Sequence, residues 1–413
     1  MTRERHRICI VTPGQLGSNP RVVKEATTLS NAGHDVTVIA TKVSDFVEPR
    51  DQAIIARANF KIERIPFDRT LSWRGERMLQ VAAQNSFVER TLPNSADYAY
   101  SAFTRRLTKA AISVPADLYI AHYVAALPAA ARAAKKHGAR FAFDAEDYHM
   151  GDLPDQTEYD AQRQQIKHIE QTYLKNAAYV TAASPGIASA YQAQYAIPLP
   201  KVVLNTFPKA DADFVCAIEP LTSPSAYWFS QTIGPDRGLE TALQAIAQAS
   251  VQPHLHLRGT PAQGYEHVLR ELADRLNVSD RLHIYAPEPA HKMVALAAQH
   301  DVGLVLETGH TENRKIALTN KQFTYMLAGI PSILSDIPAH QAFAEQAPGA
   351  SFLFRTEDAT DLARAFDALL SDTNELRASR ESAKTLAHDT FNWETQEPIL
   401  LDCIAEAVGG LTA

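Results

Sequence analysis

Two polar stretches follow apolar, strand-like patterns and contain the side chains best suited to acid–base chemistry. Residues 117–122 form such a pattern and end on His122, while residues 144–149 group four ionisable side chains after the next pattern, among them Glu146 and Asp147. Ionisable groups are costly to cluster at a strand end unless they face solvent or a ligand, so one of these carboxylates could act as a general base. A structural histidine and a solvated acidic loop are the alternatives, and they are the commoner origins of such patterns.

A glycine-bearing loop, residues 12–21, separates the first strand pattern from the first helix pattern. Gly14 and Gly17 allow the backbone to approach a ligand, and the helix N-terminus that follows favours an anion. The loop lacks G-x-G-x-x-G and the lysine of a P-loop, which excludes two common phosphate-binding fingerprints. A tight turn between strand and helix is the alternative interpretation.

Residues 230–240, in the second half of the chain, place an arginine between a strand pattern and a helix pattern. Arg237 lies where a guanidinium and helix amides could hold one phosphate together. The alternative is an arginine at a helix start that pairs with Asp236 or Glu240.

A polar loop after a buried strand pattern, residues 307–323, leads into a further helix. Its cations stand out in an acidic protein and could bind an anion, although a solvated loop would contain the same charges. The ionisable and helix-capping side chains that we select from this loop are Glu312, Arg314, Lys315, Asn320 and Lys321.

Parallel sheets covered by helices must position these loops, because short β-branched runs alternate with helical patterns along the chain. A Pro-rich break around residues 205–225 interrupts the alternation of strand and helix patterns, which restarts after it. We therefore predict a first domain over residues 1–205, a linker over 206–222 and a second domain over 223–390. Two α/β domains offer one obvious place for a site, the cleft that faces the carboxyl ends of both sets of strands.

The least periodic part of the chain is residues 42–115. Helices near 76–92 and 96–112 are the prediction for this part. Asp211 and Asp213 form a D-x-D pair of the kind that binds metals, but they lie in the predicted linker. We interpret this pair as chance and predict no metal site.

Composition narrows the possible partners and the compartment. The chain has 413 residues, with 40 Lys+Arg against 47 Asp+Glu, so its net charge is −7 and nucleic acid is not expected as a partner. Its three cysteines are far apart, which predicts no disulfide framework and suits a reducing compartment. No run approaches the roughly 18–20 apolar residues of a membrane span. We expect a cytoplasmic protein. Peripheral attachment to the inner face of a membrane is the alternative.

Several stretches resemble GT-B glycosyltransferases of the retaining, family 4-like group. In the first half these are SNPRVVKEATTLSNAGHDVTVIA and ADLYIAHYVAALPAAARAAKKHGARFAFDAEDYH; in the second half they are GPDRGLETALQAIA, LHLRG and LTNKQFTYMLAGIPSILSD. The resemblance covers nearly the whole chain in the right order. It implies two Rossmann-like domains that face each other across a cleft, and a C-terminal helix within 391–413 that packs back on the first domain.

The resemblance also implies roles for matched residues of the second domain. Arg237 matches the lysine of K-G-L-E, which contacts the donor diphosphate, and Asn320 and Lys321 match the N-K that opens the helix beneath diphosphate and ribose. Glu312 and Lys315 fall in the loop beside them and are included among the donor-binding candidates. Such enzymes usually hold the base after the third strand of this domain, here at Tyr285, Ala286 and Pro287.

In the first domain, His122 matches the histidine near the transferred sugar, and Gly17 matches the loop that closes over it. Glu146 or Asp147 would then shape the acceptor side. His122, Glu146 and Asp147 are accordingly the catalytic candidates.

The chain departs from the family pattern at three positions. The glutamates of the E-x7-E motif would stand at Ile316 and Thr324, and a second diphosphate-binding arginine would stand at Thr232. Arg314 or Lys315 could supply the missing cation from the neighbouring loop.

The resemblance implies a metal-independent hexosyltransferase without a cofactor, whose substrate is a UDP- or GDP-linked sugar. It would move that sugar, with retention of configuration, to a glycan, lipid-linked or small-molecule acceptor, for example in polysaccharide biosynthesis. Two alternatives stay open: a sugar-nucleotide epimerase of the same fold, and a catalytically silent GT-B subunit that binds a partner transferase. The missing glutamates favour the silent subunit.

Overall fold

The structure is a computed structural model that describes residues 5–67, 71–89, 95–213 and 221–409. The chain divides into two compact units. One comprises the described residues up to Val203 together with those from Glu397 onward, and the other is Leu204–Gln396. Both are parallel α/β units, as the alternating pattern predicted.

The first unit is built on a seven-stranded parallel sheet. Its strands and helices are, in chain order, β1 (Arg7–Val11), α1 (Pro20–Asn31), β2 (Asp35–Lys42), α2 (Glu48–Ile55), β3 (Lys61–Pro66), α3 (Leu71–Glu89), α4 (Ser95–Ala99), α5 (Thr104–Ser113), β4 (Leu118–His122), α6 (Leu127–His137), β5 (Arg140–Ala145), α7 (Asp160–Tyr173), β6 (Val180–Ala182), α8 (Pro185–Tyr195) and β7 (Lys201–Val202). The strand order is β3-β2-β1-β4-β5-β6-β7.

The start of α1 follows from its sequence. The Asn19 side chain accepts a hydrogen bond from the backbone N–H of Val22, and Pro20 occupies the first turn, where its missing N–H costs nothing. Val22, Ala26 and Leu29 then pack against β1 and β2 in the core. The loop before α1 is therefore fixed at the carboxyl end of β1.

Residues 42–115 differ from the prediction. The helix expected near 76–92 is α3 as far as Glu89, and residues 90–92 lie outside the described residues. The helix expected over 96–112 is two helices, α4 and α5, separated by residues 100–103. Strand β3 was missed because it lies at the sheet edge and half of its residues are charged; Ile65 is its one buried residue.

The second unit is built on a six-stranded parallel sheet, in the order β10-β9-β8-β11-β12-β13. Its elements are, in chain order, β8 (Ser225–Ile233), α9 (Leu239–Gln248), β9 (His254–Pro261), α10 (Tyr265–Arg275), β10 (Leu282–Tyr285), α11 (Met293–Ala297), β11 (Val302–Val305), α12 (Glu312–Ile316), α13 (Lys321–Leu327), β12 (Ser332–Ser335), α14 (Pro338–Gln346), β13 (Ser351–Phe354), α15 (Ala359–Leu370), α16 (Thr373–Asp389) and α17 (Trp393–Gly409).

Helix α13 is buried along its whole length. Its Tyr325 lies so close to β11 that a Cβ on Gly303 would come within 2.2 Å of the ring. The Tyr325 hydroxyl donates to the backbone carbonyls of Tyr227 and Leu304. These contacts lock the helix against the sheet and thereby fix the position of Lys321 at its start.

The last helix, α17, begins in the second unit, and its residues from Glu397 onward belong to the first. Ile404, Ala407 and Val408 join the core around β1 and β4. Of the linker expected over 206–222, residues 214–220 lie outside the described residues, and Lys209–Ala212 form a short 3-10 turn. Within the described part of the chain, no helix is both long and apolar enough to span a membrane.

Candidate functional site

In the first unit, a buried ionic network surrounds His122 at the carboxyl end of β4. The ring is fully buried; Nε2 donates to Glu25 Oε2 at 2.6 Å, and Nδ1 lies 3.0 Å from Glu146 Oε1 and 3.3 Å from Asp144 Oδ2. Arg21 completes the network with a bidentate contact to Asp144, at 2.6 and 2.7 Å. Two cations therefore face three carboxylates, contributed by α1, β4 and the end of β5.

The network determines the charge of His122. Burial alone would lower the pKa of His122, but the carboxylates of Glu25 and Asp144 raise it to about 10. Burial likewise disfavours the charged form of Asp144, yet Arg21 holds the pKa of Asp144 at about 2. At neutral pH, His122 is thus an imidazolium whose two N–H groups both donate to carboxylates.

This charge state predicts a pH dependence of stability. Because the pKa of His122 is raised in the folded protein, its contribution is complete below the ordinary value of 6.5 and is lost as the pH rises through about 10. The difference in urea midpoint between the wild type and His122→Gln should therefore shrink from pH 7 to pH 10. A difference that does not change with pH would mean that the buried imidazole is neutral.

Glu146 is the member of this network that reaches the surface of the first unit, with 13% of its side chain exposed. Besides His122, its carboxylate accepts from Asn19 Nδ2 at 3.0 Å and from the Tyr123 hydroxyl at 3.3 Å. Tyr123 itself has a positive φ of 66°, an uncommon conformation for a non-glycine residue. Glu146 is thus held in one orientation, with part of its side chain exposed.

Two further candidates of the first unit differ in their surroundings. Asp147 follows Glu146, and its backbone carbonyl accepts from the Tyr191 hydroxyl at 3.4 Å. Gly17 lies in the loop before α1, where its N–H donates to Asp51 Oδ1 at 2.7 Å. The Gly17 amide is therefore already used within the protein.

Close packing explains why position 17 is a glycine. A Cβ there would lie 2.7 Å from Arg50 Cβ and 3.1 Å from Asp51 Oδ1, both on α2. Asp51 is fully buried and also accepts from Arg64. The loop and α2 consequently form one packed unit.

Gly17→Ala should therefore destabilise the first unit by about 1–3 kcal/mol, because α2 must shift to admit the methyl group. Gly14→Ala is the matched control in the same loop, since its Cβ would meet Thr12 Oγ1 at an ordinary 3.5 Å. Urea denaturation of both variants measures the effect. Equal stability of the two variants would contradict the packing argument.

In the second unit, Glu307 gathers cations from two elements. It lies two residues after the end of β11 and is 5% exposed. Its carboxylate accepts from Lys321 Nζ at 3.3 Å and from Arg314 NH1 at 2.9 Å, so that α12 and the start of α13 are joined. We call Glu307, Arg314, Lys321 and the neighbouring Arg237 the cation cluster.

Arg237 belongs to the cation cluster because it interacts electrostatically with Arg314 and Glu307. Burial lowers the pKa of Arg237, and repulsion from Arg314 lowers it further, while Glu307 opposes both effects. Burial also lowers the pKa of Lys321, again against the attraction of Glu307. Three cations thus face Glu307, whose pKa falls to about 2 because Lys321 and Arg314 outweigh its burial, and Asp236 is a further carboxylate near Arg237. The excess positive charge would be neutralised by an anion such as a diphosphate.

The loop that contains Arg237 has an unusual backbone. Asp236 and Gly238, on either side of Arg237, have φ angles of +59° and +70°. A Cβ on Gly238 would approach the backbone carbonyl oxygen of Leu306 within 2.8 Å. Only glycine therefore allows this loop to lie against the end of β11, next to Glu307.

The other donor candidates are placed less centrally. Glu312 and Lys315 pair with each other at 2.5 Å and are 65% and 43% exposed, whereas Arg314 of the same helix contacts Glu307. Asn320 precedes α13 but makes no side-chain capping bond. The sequence offered Arg314 or Lys315 as a replacement for the cation that is missing at Thr232. Of these two, Arg314 belongs to the cation cluster.

Tyr285, Ala286 and Pro287 follow β10, and Arg258 of β9 fixes them. Arg258 NH1 donates to the Ala286 carbonyl at 2.8 Å, and its guanidinium lies 5.0 Å from the centre of the Tyr285 ring. The Tyr285 hydroxyl contacts His256 Nδ1 at 3.1 Å. The Tyr285 side chain remains 38% exposed, so its ring offers a surface for stacking.

The structure shows the surroundings of two residues that depart from the family pattern, Thr324 and Thr232. Thr324 is fully buried and donates its hydroxyl to the Asn320 carbonyl at 2.9 Å, so it is turned into its own helix. Thr232 is exposed near the end of β8. Neither position supplies a charged contact.

Four residues that organise these sites are not among the site residues selected from the sequence: Arg21, Glu25, Asp144 and Glu307. A signal exists for Glu25, because it shares the buried face of α1 with Val22 and Leu29, and a charge on an apolar stripe requires a buried partner. A similar signal exists for Glu307, an acid just after a buried strand.

Comparisons with known proteins agree with this architecture. Residues 16–206 match the family model described as a glycosyl transferase 4-like domain. No curated protein sequence matches the chain closely enough to count as a relative.

Solved structures resemble the chain over nearly its full length. HepE (Alr3699) from Anabaena, solved in complex with UDP, is 15% identical, with a TM-score of 0.71 over 97% of this chain and 99% of that chain. Sucrose-phosphate synthase from Thermosynechococcus elongatus is 16% identical, with a TM-score of 0.69 over 98% and 100%.

A putative UDP-N-acetylglucosamine 2-epimerase from Listeria monocytogenes also resembles the chain. It is 11% identical, with a TM-score of 0.59 over 97% of this chain and 96% of that one. At such identities the likeness concerns the fold. The predicted family resemblance and fold class are confirmed: the chain has the GT-B glycosyltransferase fold, and its residues 16–206 match the model of a glycosyl transferase 4-like domain.

Proposed function

We propose that this chain transfers a sugar from a nucleotide diphosphate sugar to an acceptor, with retention of the anomeric configuration. The observation that carries the proposal is the cation cluster of the second unit, where Arg237, Arg314 and Lys321 surround Glu307. A diphosphate would add the negative charge that this group lacks, and Arg314 would replace the cation that is absent at Thr232.

A UDP-sugar is the donor that we favour over a GDP-sugar. HepE, which has this fold, was solved in complex with UDP-glucose as well as with UDP and glucose. In our chain the base would stack on the exposed ring of Tyr285, which Arg258 and His256 hold in place. The acceptor would be a glycan, a lipid-linked sugar or a small molecule, with peripheral membrane contact expected for a lipid-linked one.

The chemistry would then depend on positioning and charge. In a retaining transfer without a covalent intermediate, the leaving phosphate can take the acceptor's proton, so no strong protein base is required. The cation cluster would stabilise the departing diphosphate, where negative charge develops as the sugar leaves.

His122 would act through Glu146. The resemblance places His122 near the transferred sugar, yet in the structure its ring is fully buried and both ring nitrogens face carboxylates. A direct bond to the sugar would require Glu25 or Glu146 to release the ring. We therefore assign to His122 the role of orienting Glu146, whose partly exposed side chain would contact the substrates.

Glu146→Gln should lower kcat by about 10²–10³-fold, on the scale of a lost positioned polar group, while UDP affinity stays nearly unchanged. The Gln amide keeps the size of the Glu side chain, but only its oxygen can accept hydrogen bonds. It therefore cannot accept from His122 and Asn19 at one end and from Tyr123 at the other, as the carboxylate does. Steady-state kinetics and calorimetric UDP titration measure the two quantities. A parallel loss of UDP affinity would place Glu146 on the donor instead.

NMR of the reaction with UDP-glucose tests the function itself. A retaining transferase should bind UDP and slowly release glucose whose first-formed anomer matches that of the donor. An epimerase would interconvert nucleotide sugars without an acceptor, and a silent subunit would neither bind nor turn over the donor. The inverted anomer would contradict retention and make Glu146 or Asp147 the suspected general base.

A further inference from the structure

A group of histidines lies at the edge of the second sheet, and the proposed function uses one of them, His256, only through its contact with Tyr285. His254 and His256 stand two residues apart on β9 and therefore point to the same face. His283 on the edge strand β10 is paired directly with His256 in the sheet register. The parallel strands end at the donor side, whereas His254 and His283 lie toward their beginnings.

The three imidazoles are close enough to share a ligand. One ring nitrogen from each lies within 4.8 Å of the other two. His254 Nδ1 and His283 Nε2 are 2.9 Å apart, and the rings of His256 and His283 are 4.4 Å apart. Tetrahedral Zn²⁺ with Zn–N bonds of about 2.0–2.1 Å requires N···N separations of about 3.3 Å, so only small displacements are needed.

The rings would also have to turn. They are stacked with interplanar angles of 6° and 22° in the two closest pairs, so their lone pairs do not yet converge. Turning the rings would exchange the His254–His283 and His256–Tyr285 hydrogen bonds for metal bonds, and the broad outer torsion of a histidine side chain permits it. His254 and His283 are half-buried, which leaves a route for an ion, while His256 is buried beneath them.

The protonation states of His256 and His283 suit metal binding. Burial lowers the pKa of His256 to about 3 and also lowers that of His283, with the neighbouring imidazoles adding to both effects. Neutral imidazoles need lose no proton before they bind a metal. Asp280 acts electrostatically on His283 and would favour a cation. Arg258, two residues beyond His256 on β9, is already bonded to Tyr227 and Ala286.

A fourth histidine extends the group. The ring of His300 lies 4.6 Å from that of His256, and its buried Nδ1 has no hydrogen-bond partner among the described residues. Hydrogen bonds within the protein therefore do not satisfy every nitrogen of this group, although buried polar atoms normally find partners.

We propose that His254, His256 and His283 form a binding site for a late first-row divalent metal, with Zn²⁺ as the ion they suit best. Imidazole ligands select zinc, copper and nickel over magnesium and calcium, and three of them leave one tetrahedral position for water. The site is distinct from the cation cluster, and it does not depend on the proposed glycosyl transfer.

A second group of possible ligands does not carry the same inference. His122, Asp144 and Glu146 also bring one ligand atom each within 4.8 Å. There, however, Arg21 is bonded to both oxygens of Asp144, and His122 is protonated, so its nitrogens offer no lone pair. These cations occupy the positions that a metal would need.

Calorimetric titration of the full-length, metal-free chain with ZnCl₂ tests the proposal, with MgCl₂ as the contrasting ion. We expect one Zn²⁺ per chain and no binding of Mg²⁺. His254→Gln and His283→Gln should each weaken Zn²⁺ binding by more than about 100-fold, since even an outer-shell partner is worth about 10–100-fold. His267→Gln is the matched control, because His267 is an exposed histidine of α10 that pairs with Glu271.

Electron paramagnetic resonance of the Cu²⁺-loaded wild type adds a readout that needs no variant. Nitrogen couplings from several imidazoles are expected, and they should diminish in the His283→Gln protein. Wild-type protein that does not bind Zn²⁺ would overturn the proposal. So would folded His254→Gln and His283→Gln proteins that bind Zn²⁺ with unchanged affinity, or a His267→Gln protein that no longer binds it.

Discussion

Arg237→Ala should weaken UDP binding by about 10–150-fold, because a hydrogen bond to a charged group is worth about 1.5–3 kcal/mol. Uridine, which lacks the phosphates, should bind the variant as it binds the wild type. The reason is the position of Arg237 beside Arg314, Lys321 and Glu307, where three cations outnumber the carboxylates of Glu307 and Asp236. Calorimetric titrations with UDP and with uridine measure both affinities.

Lys315→Ala is the matched control for this experiment. Lys315 is a cation of the neighbouring helix, but it is 43% exposed and pairs with Glu312 instead of Glu307. Its removal should change UDP affinity by less than threefold or so, as expected for a surface ion pair. Equal losses of UDP and uridine binding in Arg237→Ala would show that the guanidinium has a structural role only.

Arg21→Met should lower the free energy of unfolding of the first unit by about 3–5 kcal/mol, the cost of leaving a buried charge without its partner. Arg21 is 3% exposed, and besides its two bonds to Asp144 it donates to the Val203 carbonyl at 2.6 Å. Without it, Asp144 faces Glu25 and Glu146 with His122 as the remaining cation of the network. Urea denaturation of the first unit measures the loss.

Arg7→Met provides the comparison, because Arg7 also forms a bidentate pair with an aspartate, Asp117, but is 56% exposed. Its loss should cost less than about 1 kcal/mol. Adding Asp144→Asn to Arg21→Met should recover part of the stability, since the uncompensated charge is then gone. If the two arginine variants were equally stable, burial of the network would not govern its contribution.

Local sequence patterns determined the class of the fold. β-branched runs such as Ile8–Val11 form strands because they are buried on both faces, and Asn19 followed by Pro20 starts a helix by satisfying its first N–H groups. The same patterns placed the candidate residues correctly at strand ends and helix starts. They did so because the burial and capping requirements of an element are encoded within the element itself.

Only the tertiary structure decided which of these residues meet. Sequence spacing does not relate Arg21 to Asp144, 123 positions apart, or Glu25 to His122, 97 positions apart, because the sheet order that joins them depends on packing of the whole unit. The same is true of Glu307, which gathers Arg314 and Lys321 while Lys315 turns outward to Glu312. Adjacent cations on one short helix differ in role because the helix presents them in different directions, and that direction is fixed by the neighbouring elements. The charge of His122 was equally beyond local reasoning, since it results from carboxylates supplied by a helix and a second strand in a buried environment where ion pairing outweighs desolvation.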